Sequence, residues 1–368
     1  MEKILPNNLK RQFDLYSEEY NNKAVEVLNS GWYILGKEVE SFENEFADYV
    51  GAKYCVGLAS GLDALSLAFR ILGIQKGDEV IVASNAYIAC VMGITMNCGT
   101  PIFVEPDEYD NIDANKIEEK ITDRTKAILA VHLFGQSCDM TKIMELAKKH
   151  NLKVVEDCAQ SHGTTWNGQT CGSIGDIGCF SFYPTKGLGA FGDAGAITTN
   201  NQEYAEDLKC LRNYGSRVHY EFETVGKNSR LDELQAGLLR VKLTHLNELN
   251  EERQMIALRY NTEINNPLLV PLKTRPNSNN TWHQYVIHVQ DGKRDKLIEY
   301  LNSYEIGTII HYPIPPHLSK AYKELGYKEG DFPIAEKYAK EVVSIPMYNG
   351  ITKEELDFVI DKLNNFKG

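Results

Sequence analysis

The sequence lacks the paired cysteines of a disulfide framework or a zinc site. Its eight cysteines, Cys55, Cys90, Cys98, Cys138, Cys158, Cys171, Cys179 and Cys210, are scattered, and no two form a C-x-x-C pair. Several lie in apolar surroundings, such as Cys179 before Phe180. They read as buried, reduced thiols of a cytoplasmic protein. No apolar run reaches the roughly 18 residues of a membrane span, so no membrane association is expected. The first residues, Met1 to Asn8, hold no apolar core of signal-peptide length. Low-complexity segments and internal repeats are also missing. Positive charge is in deficit: 39 Lys and Arg against 51 Asp and Glu leave a net charge of -12. That balance argues against a sequence-independent grip on nucleic-acid phosphates. It leaves room for a small anion held by the local field of a site.

What is present suits a globular chain with a substantial core, since 43% of residues are apolar and 24% charged. At about 100–200 residues per domain, the 368 residues predict two domains. Strand-like runs at Glu79–Val82, Pro101–Val104, Ala127–Val131 and Leu152–Val155 are β-branched without polar alternation. Such strands are buried on both faces. Helical stretches separate them, for example Met140–His150 with its basic end. The alternation predicts an α/β fold with a mostly parallel sheet. A long charged helical stretch follows over Leu231–Arg259, then a polar, proline-bearing loop over Asn265–Asn280. Beyond it lie strand-like Gln284–His288, a helix near Asp295–Leu301 and strand-like Thr308–Ile310. The expected division is a large domain over 1–247 and a smaller α+β domain over 248–368.

The segment richest in chemistry runs from Gly178 to Gly195. An apolar strand, Cys179-Phe180-Ser181-Phe182, leads to a lone lysine, Lys186, and four glycines follow it closely. Burial disfavours an ammonium and lowers its pKa. An amine so tuned can form a Schiff base with an aldehyde. A surface lysine on a glycine-rich turn fits the same residues. Gly187-Leu188-Gly189-Ala190-Phe191-Gly192 also matches the dinucleotide pattern G-x-G-x-x-G. That motif must open a helix, whereas these glycines lead into strand-like Ala196–Thr199.

Two further elements fit the lysine. Val154-Val155-Glu156-Asp157 places carboxylates at the C-terminal end of a buried strand, where an α/β sheet opens its ligand crevice. An acid there can hold a proton on the ring nitrogen of pyridoxal 5′-phosphate (PLP), which makes the ring an electron sink. Asp157, just past the strand end, is the preferred acid. A metal ligand or helix cap is the other reading, although no neighbouring residue has convincing metal spacing. Ala59-Ser60-Gly61-Leu62-Asp63 leads into an amphipathic helix, and Ser60 and Asp63 have the spacing of a capping box. The same helix N-terminus can bind phosphate.

With these elements in place, the chain resembles the nucleotide-sugar aminotransferases of the DegT/DnrJ/EryC1/StrS type. The resemblance runs from Ser30-Gly31-Trp32 to Ser344-Ile345-Pro346. Its most specific motifs are Val155–Gly163, Phe180–Lys186, Gly192-Asp193-Ala194-Gly195 and Asn228–Glu233. It implies a PLP-dependent transferase of the aspartate-aminotransferase type (fold type I), working as a homodimer with shared active sites. Lys186 would be the Schiff-base lysine and Asp157 the ring-nitrogen partner. Gln160 would lie beside the ring hydroxyl, and Tyr87 would stack on the ring. Ser60, Gly61, Leu62 and Ser181 would cradle the phosphate, and Asn228 would reach it from the other subunit. His311 and Tyr312 would lie near the nucleotide sugar, with His162 and Tyr183 as further candidates there.

Two positions depart from the family pattern. Leu62 stands where threonine is frequent, and Gly187 where asparagine is frequent; the backbone N–H at 62 remains. A dehydratase branch carries histidine at the lysine position, so Lys186 favours transamination. The segments Ser84–Ala89, Val104–Asp107 and Asn111–Asp113 look most like members that aminate C-3 of a dTDP-3-keto-6-deoxyhexose, with L-glutamate as donor. Members acting at C-4 are the alternative. A more distant alternative is a regulatory protein that keeps the fold without turnover. It would need a DNA-binding or partner module, and the acidic chain carries no helix-turn-helix signal.

Overall fold

The strands form where short apolar, β-branched runs allow burial on both faces. In the computed structural model, which describes residues 3–368, the first five are β1 (Tyr54–Leu58), β2 (Glu79–Ala83), β3 (Thr100–Val104), β4 (Thr125–Val131) and β5 (Lys153–Asp157). The short pair β6 (Thr165–Trp166) and β7 (Gln169–Thr170) precedes β8 (Ile177–Ser181) and β9 (Gly195–Thr199). Seven of these make one sheet in the order β1-β9-β8-β5-β4-β2-β3. All neighbours pair in parallel except β9, which runs antiparallel to both β1 and β8. Every residue of β2 and β9 is buried, which accounts for their lack of polar alternation.

Helices cover the sheet. They are α1 (Leu9–Leu15), α2 (Ser17–Ser30), α3 (Lys37–Val50), α4 (Gly61–Ile71), α5 (Ile88–Thr95), α6 (Met140–His150) and α7 (Gln202–Leu211). Helix α6 matches its expected span. An Asp139 cap opens it and a left-handed Asn151 closes it. The glycine run after Lys186 leads into β9 and opens no helix. The capping box at Ser60 is half formed: Ser60 Oγ accepts the Asp63 N–H, but the Asp63 carboxylate turns to the Ser229 hydroxyl and Lys227. An exposed hairpin, β10 (Ser216–Val218) and β11 (Glu221–Phe222), follows α7.

The long helix expected over Leu231–Arg259 is two helices, α8 (Glu233–Thr244) and α9 (Leu246–Glu263). They break at His245, whose ring stacks on Tyr16 with centroids 3.7 Å apart. Helix α9 runs across the expected boundary at 247/248. The C-terminal part carries β12 (Leu269–Pro271), β13 (Ser278–Asn279), β14 (Tyr285–Val289), α10 (Arg294–Ser303), α11 (Pro333–Glu341), β15 (Val342–Ile345) and α12 (Lys353–Asn365). Strands β12, β14 and β15 form an antiparallel sheet over a second apolar cluster, which includes Tyr260, Tyr285, Leu297 and Val359. Thr308–Ile310 is not a strand. Only Ile309 pairs, as an isolated bridge to Ser344, while Gly307 N–H donates instead to Ile4 O. No helix among the described residues is long and apolar enough to cross a membrane.

Candidate active site

The carboxyl ends of β4, β5 and β8 and the amino end of α4 open on one cleft of about 460 Å³. This is where an α/β sheet presents its ligands. Ser60, Gly61, Leu62, Tyr87, Asp157, Gln160, Ser181, Tyr183, Lys186, His311 and Tyr312 all line it. Two candidates do not. His162 is buried behind the wall, packed on Phe180 and Phe182 with both ring nitrogens unpartnered. Burial, with the charges of Lys186 and Lys242, pushes its pKa down to about 3 and keeps it neutral. Asn228 is exposed and lies outside this cleft.

Lys186 is part-buried in the cleft wall and makes no hydrogen bond or ion pair through its amine among the described residues. Burial holds its pKa below the usual lysine value, and the negative charge of Asp157 only partly opposes this. A depressed, unpartnered amine facing a cleft is a poised nucleophile and base.

Asp157 ends β5, paired with Val131 on one side and Cys179 on the other. Its Oδ1 accepts the Ala159 N–H at 3.0 Å and its Oδ2 accepts the Cys90 thiol at 3.0 Å. Glu156 faces the other side of the sheet and is fully spent. Its Oε1 accepts the N–H groups of Ile174 and Gly175, and its Oε2 pairs with Gly172 N–H and His132 Nε2. The ligand-type atoms of His132, Glu156 and Cys171 lie within 4.8 Å of one another. A cation there would displace those hydrogen bonds, and His132 Nδ1 already accepts the Cys138 N–H.

A phosphate-sized cradle lies at the start of α4. The N–H groups of Gly61 and Leu62 have no partner within the helix, and the helix dipole adds positive potential there. Ser181 closes the cradle. A Cβ on Gly61 would stand 2.5 Å from Ser181 Cβ, and one on Gly195 would stand 2.4 Å from the Ser60 backbone, so glycine lets these segments meet. The donors of the cradle and the lone amine fit the phosphate and the aldehyde of PLP.

Aromatic and amide groups form the remaining wall. Tyr87 precedes α5, and its ring lies 4.9 Å from that of Tyr312. Gln160 accepts the Phe134 N–H and donates to Tyr312 Oη, which fixes its amide. His311 Nδ1 pairs with Ser344 Oγ at 2.8 Å, and burial beside Lys186 pushes its pKa down to about 4. Tyr183 is exposed at the mouth. Sequence reasoning missed Cys90, His132, His283 and Gln284. Cys90 stands three residues after Tyr87, a spacing that puts both on one side of a helix. His283 and Gln284 immediately precede β14; nothing local marks them as lining residues.

Comparison with known proteins establishes the family and the fold. The chain is 51% identical over 358 residues to the dTDP-3-amino-3,6-dideoxy-alpha-D-galactopyranose transaminase of Aneurinibacillus thermoaerophilus, covering 97% of this chain and 98% of that one. Its fold superposes with a TM-score of 0.96 on Streptomyces venezuelae DesV, solved with a ketimine intermediate, at 42% identity over 99% and 98% of the two chains. Bacillus subtilis NtdA, solved with the cofactor PMP, matches with a TM-score of 0.90 at 32% identity, over 97% of this chain and 83% of the other. With a family match spanning residues 15–364, the chain belongs to the DegT/DnrJ/EryC1/StrS aminotransferase family.

Proposed function

We propose that the protein transfers an amino group from L-glutamate to C-3 of a dTDP-3-keto-6-deoxyhexose, with PLP held in the cleft. The observation that carries this reading is Lys186, an amine without a partner, depressed by burial and sharing the cleft with Asp157. The preference for C-3 rests on the 51% identical relative, whose name places its amino group there.

The cofactor supplies an aldehyde carbon and an electron-withdrawing ring when bound. The residues do the rest. Lys186 Nζ would take the proton from the amino-acid Cα and, in the reverse half of the reaction, deliver one to the sugar carbon that receives the amino group. Asp157, oriented by Cys90 and Ala159, would hold a proton on the ring nitrogen. The start of α4 and Ser181 take the phosphate. Tyr87 would lie against the ring, and Tyr183, His311 and Tyr312, which line the same cleft, would meet the sugar.

The functional unit is a homodimer with shared sites. Asn228 is exposed and does not line the cleft of its own chain, while its neighbours Lys227 and Ser229 bond to Asp63 at the start of α4. The hairpin ahead of it presents Tyr220 and Phe222 to solvent, and Val225 just after it does the same, as an interface segment does.

Turnover with glutamate against a panel of 3-keto and 4-keto nucleotide sugars tests this, with the aminated carbon read by NMR. Amination at C-3 of a dTDP-3-keto-6-deoxyhexose is expected. Efficient amination of a 4-keto sugar at C-4 would replace the substrate assignment, and no turnover with any of them would remove the enzymatic reading.

A further inference from the structure

A second cavity, of about 210 Å³, lies behind the catalytic loop and shares no lining residue with the cleft. The loop around Lys186 has two faces. Tyr183, Thr185 and Lys186 line the cleft, whereas Pro184, Gly189, Ala190 and Phe191 line this cavity. Helices α1 and α2 close it from the other side.

Its walls are aromatic. Phe13, Tyr20 and Phe191 stand 4.9 to 6.0 Å apart, centroid to centroid. Two polar groups in those walls are unspent. Lys242, on the last turn of α8, is only 6% exposed and has no hydrogen bond or ion pair among the described residues. Tyr20 is 3% exposed, and its hydroxyl has no partner there either. Neither Lys242 Nζ nor Tyr20 Oη is sealed off from open space, so both can donate to an occupant of the cavity. Both are donors, and no carboxylate lines the cavity. The nearby charged or titratable groups are Arg253 from α9 and His162 from the loop after β5, which supply no negative charge beside Lys242, and Tyr16 and Glu19 beside Tyr20, of which Glu19 carries a negative charge but does not line the cavity. Gln12 is the remaining polar residue in the lining; its Nε2 donates to Asn7, which leaves its Oε1 as an uncharged acceptor that cannot neutralise Lys242.

We propose that this cavity is a binding site for a small monocarboxylate with an aromatic or apolar body, and that its occupant acts on the cleft through the loop from Pro184 to Phe191. The carboxylate would accept from Lys242 Nζ and Tyr20 Oη, and the body would lie among the three rings. A cation is repelled by Lys242 and Arg253. A dianion would find one ammonium where it needs two. Burial pushes the Lys242 amine down to about 7, so an anion that restores its charge binds better as pH falls through neutrality.

The test uses the PLP-loaded enzyme with benzoate as probe and benzamide as its uncharged isostere, read by calorimetry. Benzoate should bind, and benzamide should bind about tenfold more weakly. Lys242→Met should lose benzoate binding by at least about tenfold while keeping basal turnover. Replacing a buried charge by an apolar side chain of similar volume is tolerated by folds. Tyr20→Phe, a milder change, should lose part of the affinity. Trace acetylation at pH near neutral should modify Lys242 ahead of surface lysines, and benzoate should protect it. Benzoate affinity unchanged in Lys242→Met would overturn the site, because that binding would belong to the cleft. An unreactive or unprotected Lys242 would overturn it too. Saturation without any change in kcat would overturn the coupling through the loop.

Discussion

The Cys90 thiol donates a hydrogen bond to Asp157 Oδ2 across 3.0 Å, with both side chains buried. Burial and the neighbouring carboxylate push the thiol pKa well up, so Cys90 stays protonated and remains a donor. A thiol is a weak donor, but it aims the carboxylate and satisfies one of its lone pairs. Cys90→Ala should therefore lower kcat by about fivefold, the equivalent of roughly 1 kcal/mol, with little change in KM. Cys90→Ser should recover most of the loss and leave the visible spectrum of the bound cofactor as in the wild type. Equal rates in all three proteins would reduce Cys90 to a packing residue. Asp157→Asn removes the charge itself and should cost on the order of 10²–10³-fold in kcat.

Lys186 is the amine that borohydride should fix to the cofactor. Reduction of the yellow enzyme followed by peptide mapping should place the label on the peptide containing Lys186. Lys186→Ala should still bind PLP through the cradle, measured by fluorescence quenching, and lose on the order of 10²–10⁴-fold in turnover. A label on any other lysine would displace Lys186 from the role.

Gly61 sets the width of the cradle. The Cβ of Gly61→Ala would stand 2.5 Å from Ser181 Cβ and 3.0 Å from its Cα, so strand β8 must shift away from the start of α4. PLP affinity should fall about tenfold, the equivalent of one charge-assisted hydrogen bond. The change should appear in Kd by equilibrium titration more than in kcat at saturating cofactor. Unaltered affinity would mean that the phosphate is held elsewhere.

The parts of the site that were legible in the sequence are those whose chemistry is written locally. Asp157 sits at the end of an apolar strand, and Lys186 follows another, so strand ends alone brought both to one crevice. Ser60 was readable as a cap because its partner, the Asp63 N–H, is three residues away. The Asp63 side chain was not readable, since it turns to Ser229, 166 residues along the chain. Cys90 meets Asp157 across 67 residues, a contact set by how α5 packs on the sheet and by no motif. The helix break at His245 has the same origin: its stacking partner Tyr16 is on the N-terminal segment, and helix propensity alone would have run straight through. Thr308–Ile310 shows the converse, where a β-branched run is left without neighbours to pair with beyond Ile309.

The proposed homodimer offers a test that separates within-chain from between-chain roles. If Asn228 serves the phosphate of the neighbouring subunit, each site is built from two chains. Asn228→Asp would place a carboxylate beside that phosphate and repel it, emptying the partner's site. Lys186→Ala disables the site of its own chain. In a mixed dimer of the two variants, one site carries both defects and the other carries neither. Random mixing makes about half of the dimers mixed, and half of their sites are intact, so roughly a quarter of wild-type activity should return, given the two-fold interface usual for homodimers. Were Asn228 to act within its own chain, each site of the mixed dimer would carry one defect and no activity would return. Subunit exchange is checked first with two differently tagged wild-type preparations, so that a flat result counts against the shared site.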